Sequence, residues 1–246
     1  MFDFDGTLAD VVEDPAAARP RPGVVDHLAA LGHRYRQVCV VSGRPVGFLA
    51  DHLPGGLFLS GLYGMEEVDG GQTVVPDEFL RWQDAVTGAV SDLTTSIARD
   101  GRLTGLEVED KGLSVTVHYR RHPELGEAAV DLATRIAGRH SLEVRPARMS
   151  VEVHPPVPAD KGTVVRRVIE GVDGVEAAVF VGDDVGDLPA FTALAELRSE
   201  GLTTAAVAVA SSEMDPRMRE QADITIAGSD VEELLRALRF GAGADG

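Results

Sequence analysis

The stretch MFDFDGTLAD, residues 1–10, carries Asp3 and Asp5 on a short apolar segment, with one residue between them. Residues i and i+2 of a strand project to the same side, so we expect the carboxylates of Asp3 and Asp5 to converge just past the edge of a sheet. One carboxylate can attack phosphorus, while the other protonates the leaving alcohol and later activates water. Ordinary turn aspartates would also explain an Asp-Gly step, so this stretch alone leaves both interpretations open.

The regions before and after the middle of the chain alternate short apolar runs with helical patterns, which is typical of a parallel α/β sheet. The patterns predict strands at residues 2–4, 37–41, 57–60, 178–181, 204–210 and 223–226. They predict helices at residues 23–35, 45–52, 161–170, 188–197, 213–220 and 231–240, with Asp160 as the N-cap of the third. Ligands of such doubly wound sheets bind at the carboxyl ends of the strands.

The middle of the chain has a different pattern. It predicts helices at residues 79–99 and 123–139, each followed by two strands, at residues 106–109, 113–119, 142–145 and 150–154. The order αββαββ favours an open antiparallel sheet with two helices on one side. We therefore expect an α/β fold in which a doubly wound parallel-sheet core, residues 1–83 and 156–246, carries an inserted α+β cap, residues 84–155.

The composition narrows the class of protein. The 246 residues carry a formal net charge of −17, which would repel nucleic acid and anionic membranes. No apolar run approaches the roughly 18 residues that a membrane-spanning helix needs. The single cysteine, Cys39, lies in an apolar run and has no partner for an internal disulfide, which fits a reducing cytoplasm. We expect a cytoplasmic monomer without nucleic-acid or membrane partners.

Two segments supply groups that suit a phosphate. Ser42, Gly43 and Arg44 follow a predicted strand and open a helix, where a hydroxyl and free N–H groups can bind an anion; N-capping by Ser42 is an equally simple interpretation. Lys161 begins another helix and could neutralise phosphate charge. Only Lys111 and Lys161 are lysines among 23 basic residues, so a compact ammonium at these two positions calls for an explanation.

A third segment, VFVGDDVGD at residues 179–187, places Asp183, Asp184 and Asp187 beyond an apolar strand. Carboxylates clustered opposite Asp3 and Asp5 would repel one another unless a hard cation lay between them, and oxygen ligands of this kind suit Mg²⁺. Capping of the next helix is an alternative role for Asp187. The metal-ligand candidates are therefore Asp3, Asp5, Asp183, Asp184 and Asp187.

Four segments occur in an order that resembles the four motifs of the haloacid dehalogenase superfamily of phosphatases. They are DFDGTLA (3–9), VSGRP (41–45), DKG (160–162) and GDDVGD (182–187). The resemblance implies a fold with a doubly wound core and a phosphatase that depends on magnesium. It also implies that Asp3 is the nucleophile and Asp5 the general acid and base.

The same resemblance implies the roles of the remaining motif residues. Ser42 and Lys161 would hold the phosphoryl group, together with the neighbouring Gly43 and Arg44. Asp183, Asp3 and the backbone carbonyl of Asp5 would coordinate magnesium. Asp184 and Asp187 would support the metal and Lys161.

Three further segments resemble the trehalose-6-phosphate phosphatase family. They are SGLYGME (60–66), EDKGLSVTVHYR (109–120) and RMSVEVHPPVPADKG (148–162). This resemblance implies that the cap grips the sugar through Glu109, Lys111, His118, Tyr119, Arg120, Arg148 and Glu152. The chain departs from the family in having His154 where arginine is usual and Arg148 where lysine is common. A solvated cap face for Glu109, Lys111 and Glu152, and a scaffold role for His118 and Arg120, are the alternatives.

The expected function is hydrolysis of trehalose 6-phosphate through an aspartyl-phosphate on Asp3. One alternative keeps this chemistry for another phosphosugar of the sucrose or mannosylglycerate type. The other is a non-catalytic regulatory or binding module, for which loss of Asp3 or Asp5 would be the mark; both are present. Only Met1 and Phe2 precede Asp3, too few at about 3.3 Å per residue to cross a sheet, so we expect the natural strand to begin upstream.

Overall fold

The computed structural model describes residues 1–12, 14–69, 71–147, 149–211 and 214–240. Its backbone divides into two compact units, the first formed by Met1–Val74 with Ala159–Gly246 and the second by Val75–Pro158. This division assigns to the second unit residues 75–83 and 156–158, which the sequence-based boundaries place in the core.

The helices and strands are numbered in chain order. The helices are α1 (Val24–Gly32), α2 (Val46–His52), α3 (Asp77–Leu80), α4 (Gln83–Arg99), α5 (Gly126–His140), α6 (Lys161–Gly171), α7 (Leu188–Ser199), α8 (Pro216–Gln221) and α9 (Val231–Phe240). The strands are β1 (Cys39–Val41), β2 (Phe58–Gly61), β3 (Glu66–Asp69), β4 (Gln72–Val74), β5 (Glu107–Asp110), β6 (Val115–His118), β7 (Glu143–Ala147), β8 (Ser150–His154), β9 (Ala177–Gly182), β10 (Thr203–Ala210) and β11 (Ile224–Ala227). No described helix combines the length and apolar character that a membrane span requires.

The sheet of the first unit is joined in its centre by Phe2. On one side, β1 pairs in parallel with β2; on the other, β10 pairs in parallel with both β9 and β11. Phe2 forms parallel bridges to Val40 of β1 and to Val181 of β9, so the predicted strand at residues 2–4 is reduced to this bridge. Asp3 therefore follows directly on the central pairing position, with its N–H donating to Val181 O at 2.9 Å.

The two faces of this sheet are covered by different helices, as in a doubly wound fold. Val40 packs in a buried cluster with side chains of α1, α2 and α9. Its neighbours Cys39 and Val41 point to the opposite face and pack with α6, α7 and α8. Because the parallel strands all end at one edge, Ser42 after β1 and Asp183 after β9 lie at the same edge as Asp3. The predicted parallel-sheet core is confirmed.

The second unit is an antiparallel sheet with strand order β5-β6-β8-β7. Its apolar face, with Val115, Val117, Val151 and Val153, packs on α4 and α5 in one cluster. The polar residues between them project from the other face, where Glu152 is paired across the sheet with Thr116 and Arg145.

Three details differ from the sequence-based elements. The predicted helix at residues 79–99 is interrupted, since α3 ends at Leu80 and α4 begins at Gln83. The antiparallel hairpin of β3 and β4 was not predicted. The helix expected at residues 213–220 begins at Pro216, behind an Asp215 cap, and Glu213 lies outside the described residues.

Candidate active site

The centre of the site is a buried ammonium between two carboxylates. Lys161 is the first residue of α6, whose start is fixed by a capping box between Asp160 and Thr163. Its Nζ donates to Asp3 Oδ1 and to Asp187 Oδ1, both at 2.6 Å. Lys161, Asp3 and Asp187 are each at most 5% exposed. Three segments that are far apart in the sequence therefore meet in one ion-paired cluster.

Burial and charge act in opposite directions on these groups. Burial alone would lower the pKa of Lys161, but Asp187 and Asp3 raise it well above its ordinary value. Burial raises the pKa of Asp3 well above its ordinary value, although the Lys161 charge opposes this. Burial also raises the pKa of Asp187, again against the effect of Lys161. At both carboxylates the effect of burial on the pKa outweighs the opposing charge of Lys161.

Asp187 organises the turn after β9 rather than capping α7 with its side chain. Its Oδ2 accepts from the N–H groups of Asp183 at 2.9 Å and Asp184 at 3.2 Å, while its Oδ1 accepts from Lys161. Both oxygens are therefore engaged by this chain's own donors. The capping role considered from sequence is replaced by a connection between the turn and Lys161.

Three carboxylates are close enough to share a cation. One oxygen each from Asp3, Asp183 and Asp187 lies within 4.8 Å of the others. Burial, followed by the charges of Asp187 and Asp184, raises the pKa of Asp183 to about 7. Gly6 has φ +83°, and a side chain there would overlap the Asp183 carboxylate. Carboxylate oxygens with raised pKa values and a neighbouring residue without a side chain fit a hard divalent cation.

The other two predicted metal ligands lie differently. Asp184 is exposed, and its Oδ1 accepts from Gly186 N at 2.8 Å. The Asp5 carboxylate is held by Arg44, which donates from Nε to Oδ2 at 2.7 Å and from Nη2 to Oδ1 at 2.6 Å. The carboxylates of Asp184 and Asp5 are thus not in the three-carboxylate cluster. Because Arg44 occupies both carboxylate oxygens of Asp5, its backbone carbonyl is the candidate ligand for a cation.

Arg44 is positioned by more than its carboxylate partner. Its guanidinium carbon lies 4.4 Å from the ring centroid of Phe48 in α2. Nη1 also donates to the Pro15 carbonyl. Sequence reasoning assigned Arg44 to the substrate; in the structure, it fixes the orientation of the second aspartate, Asp5. A bidentate guanidinium–carboxylate pair of this kind is geometrically specific.

Ser42 begins the loop that leads into α2. Its side chain is buried, and its Oγ accepts from the N–H of Arg44 at 3.2 Å. It does not cap α2, because the N–H of Val46 is instead bonded by the Glu66 carboxylate. Burial raises the pKa of Glu66. Gly43 lies between Ser42 and Arg44 in this loop.

A second polar cluster lies within the second unit, around Glu152. Glu152 is 3% exposed. Its Oε1 accepts from Ser114 Oγ at 2.7 Å and lies 3.8 Å from Lys111 Nζ, while Oε2 accepts from Arg145 Nη2 at 2.8 Å. Burial opposes ionisation of Glu152, but Lys111 and Arg145 lower its pKa overall. Glu152 thus holds two cations in fixed positions on the polar face of the sheet.

The remaining predicted cap residues have separate surroundings. His118 Nε2 lies 2.8 Å from Glu109 Oε2 on the polar face. Tyr119 packs instead against the apolar cluster on the helix side of the sheet. Arg120 follows β6 at an exposed position, and His154 Nδ1 lies 2.8 Å from Pro155 O. Arg148 lies outside the described residues.

Two residues of the cluster around Glu152, Arg145 and Ser114, were not predicted from the sequence. Arg145 is the cross-strand neighbour of Glu152 in the register of β7 and β8. An arginine in one predicted strand and a glutamate in the next suggest an ion pair between the strands. Which two residues pair is known only when the register of the strands is known. Ser114 gave no signal beyond its position within the strand predicted at residues 113–119.

The fold and the acidic cluster define a doubly wound α/β protein with a candidate cation site at the carboxyl edge of its parallel sheet. A haloacid dehalogenase-like hydrolase from Bacteroides thetaiotaomicron has the same fold, with a TM-score of 0.61 at 15% identity over 96% of this chain and 97% of that one. The family model for trehalose-phosphatase matches residues 1–224. The chain therefore belongs to the trehalose-phosphatase family.

Individual relatives are consistent with this family. Over 206 residues, the chain is 36% identical to a trehalose-phosphate phosphatase of Mycobacterium avium (strain 104), a match that covers 79% of this chain and 50% of that protein. The chain spans about half the length of the curated relatives it matches. The C-terminal domain of the Candida albicans trehalose-6-phosphate phosphatase is similar in structure, with a TM-score of 0.73 and 26% identity over 97% of this chain and 90% of that one.

In the presence of a chelator, the free energy of unfolding is expected to fall as pH rises from about 4 to about 7. Asp3, Asp183 and Asp187 have raised pKa values in the folded protein, so the folded state holds more protons than the unfolded state in this range. For Asp183 alone, with its pKa raised from 3.8 to about 7, the loss is up to about 4 kcal/mol. Urea unfolding at a series of pH values measures it.

Matched variants locate the origin of this pH dependence. Asp183→Asn is expected to flatten the profile, whereas Asp173→Asn, at an exposed position, leaves it unchanged. A divalent cation is expected to stabilise the wild type most at the upper end of the range. A profile for Asp183→Asn as steep as that of the wild type would contradict the role of this cluster.

Proposed function

We propose that this protein hydrolyses trehalose 6-phosphate to trehalose and inorganic phosphate. The proposal rests on the family to which the chain belongs and on the Asp3–Lys161–Asp187 cluster at the carboxyl edge of a parallel sheet. The relatives whose names mention this phosphatase support the choice of substrate. The single observation that carries the chemistry is a buried carboxylate, Asp3, oriented by a lysine and accompanied by a second aspartate two residues later.

Asp3 is the proposed nucleophile. A carboxylate oxygen of Asp3 forms a bond to phosphorus while the bond from phosphorus to the sugar oxygen breaks, and Asp5 gives its proton to that oxygen. Asp5 then removes a proton from a water molecule, whose oxygen attacks phosphorus and releases Asp3 and inorganic phosphate. Lys161 holds Asp3 Oδ1 and Arg44 holds both oxygens of the ionised Asp5, which orients the nucleophile and the group that removes a proton from water.

Magnesium is the cation we propose for the acidic cluster. Asp3, Asp183 and the backbone carbonyl of Asp5 would hold it, with Asp187 and Asp184 positioning the turn that carries Asp183. The chemistry that Mg²⁺ supplies when bound is neutralisation of negative charge on the phosphoryl group. Ser42, Gly43 and Arg44, in the loop that leads into α2, and Lys161 are the proposed contacts of the phosphoryl oxygens, Arg44 in addition to its pair with Asp5.

The sugar is proposed to contact the polar face of the second unit. The candidates are Glu109, Lys111, His118, Arg120, Arg148 and Glu152. Both oxygens of Glu152 already have partners within the unit, so we assign it to holding Lys111 and Arg145. A site that bonds sugar hydroxyls rejects analogues that lack them, which gives this cluster its proposed role in specificity.

Two alternatives remain distinct from this proposal. A phosphatase for a sucrose- or mannosylglycerate-type phosphosugar would use the same core groups, and a non-catalytic module would use none of them for chemistry. The pre-oriented Asp3 and Asp5 favour catalysis. We further propose that the protein acts in the cytoplasm as a monomer, without nucleic-acid or membrane partners, in keeping with its net charge of −17 and its one cysteine.

A panel of phosphosugars tests the substrate. With Mg²⁺ present, phosphate release from trehalose 6-phosphate is expected to have a kcat/KM at least about 100-fold above that for glucose 6-phosphate, because the hydroxyls of a second sugar unit would find partners. Comparable turnover of glucose 6-phosphate would contradict the assignment. Preferred turnover of sucrose 6-phosphate or mannosylglycerate phosphate would identify the first alternative, and no turnover at all the second.

The nucleophile can be tested with a matched pair of variants. Asp3→Asn is expected to lower kcat by about a thousandfold or more, since an amide oxygen is a far weaker nucleophile than a carboxylate. Asp26→Asn, at an exposed position of α1, makes the same chemical change and should leave kcat within about twofold. Circular dichroism checks that both variants are folded. Retained turnover in Asp3→Asn would remove Asp3 from this role.

The sugar contact can be separated from the phosphate contact. Lys111→Ala is expected to raise KM for trehalose 6-phosphate by about tenfold, the loss of one hydrogen bond to a charged group, without changing inhibition by inorganic phosphate. Arg121→Ala is the control, because the Arg121 side chain is 78% exposed and paired with Glu107. If Lys111→Ala leaves KM unchanged, Lys111 has a structural role within the cap cluster only.

A further inference from the structure

The turn that joins β2 to β3 has an unusual backbone; with the end residue of each strand it spans residues 61–66. Leu62 has φ +50° and Tyr63 has φ +59°, so two consecutive residues with side chains adopt the left-handed region. Each such conformation is costly for a residue other than glycine and persists only where the surroundings over-determine it. Neither Leu62 nor Tyr63 takes part in the proposed reaction. The backbone of this turn therefore calls for a reason.

The surroundings that hold the turn are the phosphate loop, which we define as residues 42–45. The N–H of Leu62 donates to Arg44 O at 3.0 Å, and the N–H of Tyr63 donates to Ser42 O at 3.0 Å. With both residues in the left-handed region, consecutive N–H groups of the turn bond alternate carbonyls of the loop. The Glu66 carboxylate adds a bond to the N–H of Val46, directly after the loop.

The ring of Tyr63 closes the space beside the phosphate loop. A Cβ atom added to Gly43 would lie 2.7 Å from both Cζ and Oη of Tyr63. The glycine and the ring are thus in contact, and the glycine backbone is limited on that side by the aromatic ring. The phosphate loop is therefore held by the hydrogen bonds to its carbonyls and by the contact between Gly43 and the Tyr63 ring.

The same turn also contacts the helix that begins with Lys161. A Cβ atom added to Gly64 would lie 2.7 Å from Cγ2 of Val164 in α6. Arg167 of α6 donates to Gly64 O at 3.5 Å and forms an ion pair with Glu67. The turn therefore packs on both elements that supply the proposed phosphoryl contacts, the phosphate loop and the first turns of α6.

We propose that Tyr63 is a positioning residue, which sets the placement of the phosphate loop relative to Lys161. It acts through Gly43 and through the carbonyl of Ser42 and makes no contact with the reacting atoms. This inference rests on the proposed function, because it concerns the site at which the phosphoryl group would bind. It assigns to the strained turn the task of pre-organising an anion site.

A double-mutant cycle tests this role. Gly43→Ala is expected to lower kcat/KM and to weaken binding of inorganic phosphate by about tenfold or more, because the new methyl group and the Tyr63 ring cannot share the same space. Tyr63→Ala is expected to weaken both by a similar factor, and Tyr63→Phe, which keeps the ring, should stay within about threefold of the wild type. In the Tyr63→Ala background, Gly43→Ala should cost less than about threefold, since the obstructing ring is gone.

Phosphate binding, measured by titration calorimetry with Mg²⁺, provides a readout that does not depend on the sugar. If no phosphosugar is turned over by the wild type but the coupling appears in phosphate binding, the proposed function fails and the positioning role stands. Equal costs of Gly43→Ala in both backgrounds, or wild-type phosphate binding in Tyr63→Ala, would overturn the role. Should Tyr63→Ala fail to fold, Tyr63→Gly replaces it, because glycine adopts the left-handed backbone without strain.

Discussion

The ion pairs of Lys161 are the constraint on which the rest of the site depends. Burying a charge is costly unless it is paired and hydrogen-bonded, and Lys161 satisfies this condition only where Asp3 and Asp187 both reach it at 2.6 Å. The central bridge at Phe2, the turn after β9 and the capped start of α6 must therefore all be formed together. Loss of any one of them would leave a buried charge without its partner.

The fold and the core of this site could be predicted from sequence because both follow from local patterns. Alternating apolar runs and helical segments define a parallel sheet, and polar residues that directly follow its strands must meet at one edge. Asp3, Ser42 and Asp183 are such residues, and their meeting required no knowledge of side-chain packing. Asp160 before Lys161 was likewise a local capping signal, and the structure contains that cap.

The remainder depended on pairings that a sequence does not specify. Arg44 is suited to a phosphate by its charge, and nothing local indicates that its Nε and Nη2 both donate to Asp5. The partnership of Glu152 with Arg145 follows from the register of two strands, since a shift of one residue would move Arg145 to the opposite face. The left-handed backbone at Leu62 and Tyr63 could not be predicted, because neither residue is a glycine. It accompanies the hydrogen bonds that both N–H groups donate to the phosphate loop.

The charge balance of the site determines what the proposed binding of a phosphate would require. Each described cation near the sheet edge already has a carboxylate partner, Lys161 with Asp3 and Asp187, and Arg44 with Asp5. Burial first, and then the charges of Asp187 and Asp184, raise the pKa of Asp183 to about 7 against the effect of Lys161. A phosphate would meet net repulsion at such an edge unless a divalent cation were bound first, since two like charges at contact distance repel by several kcal/mol in a partly buried site. Under the proposed function, the acidic cluster would therefore couple affinity for the anion to occupancy by the cation, and two of its three carboxylates, Asp3 and Asp187, are groups that the fold must bury in any case to hold Lys161.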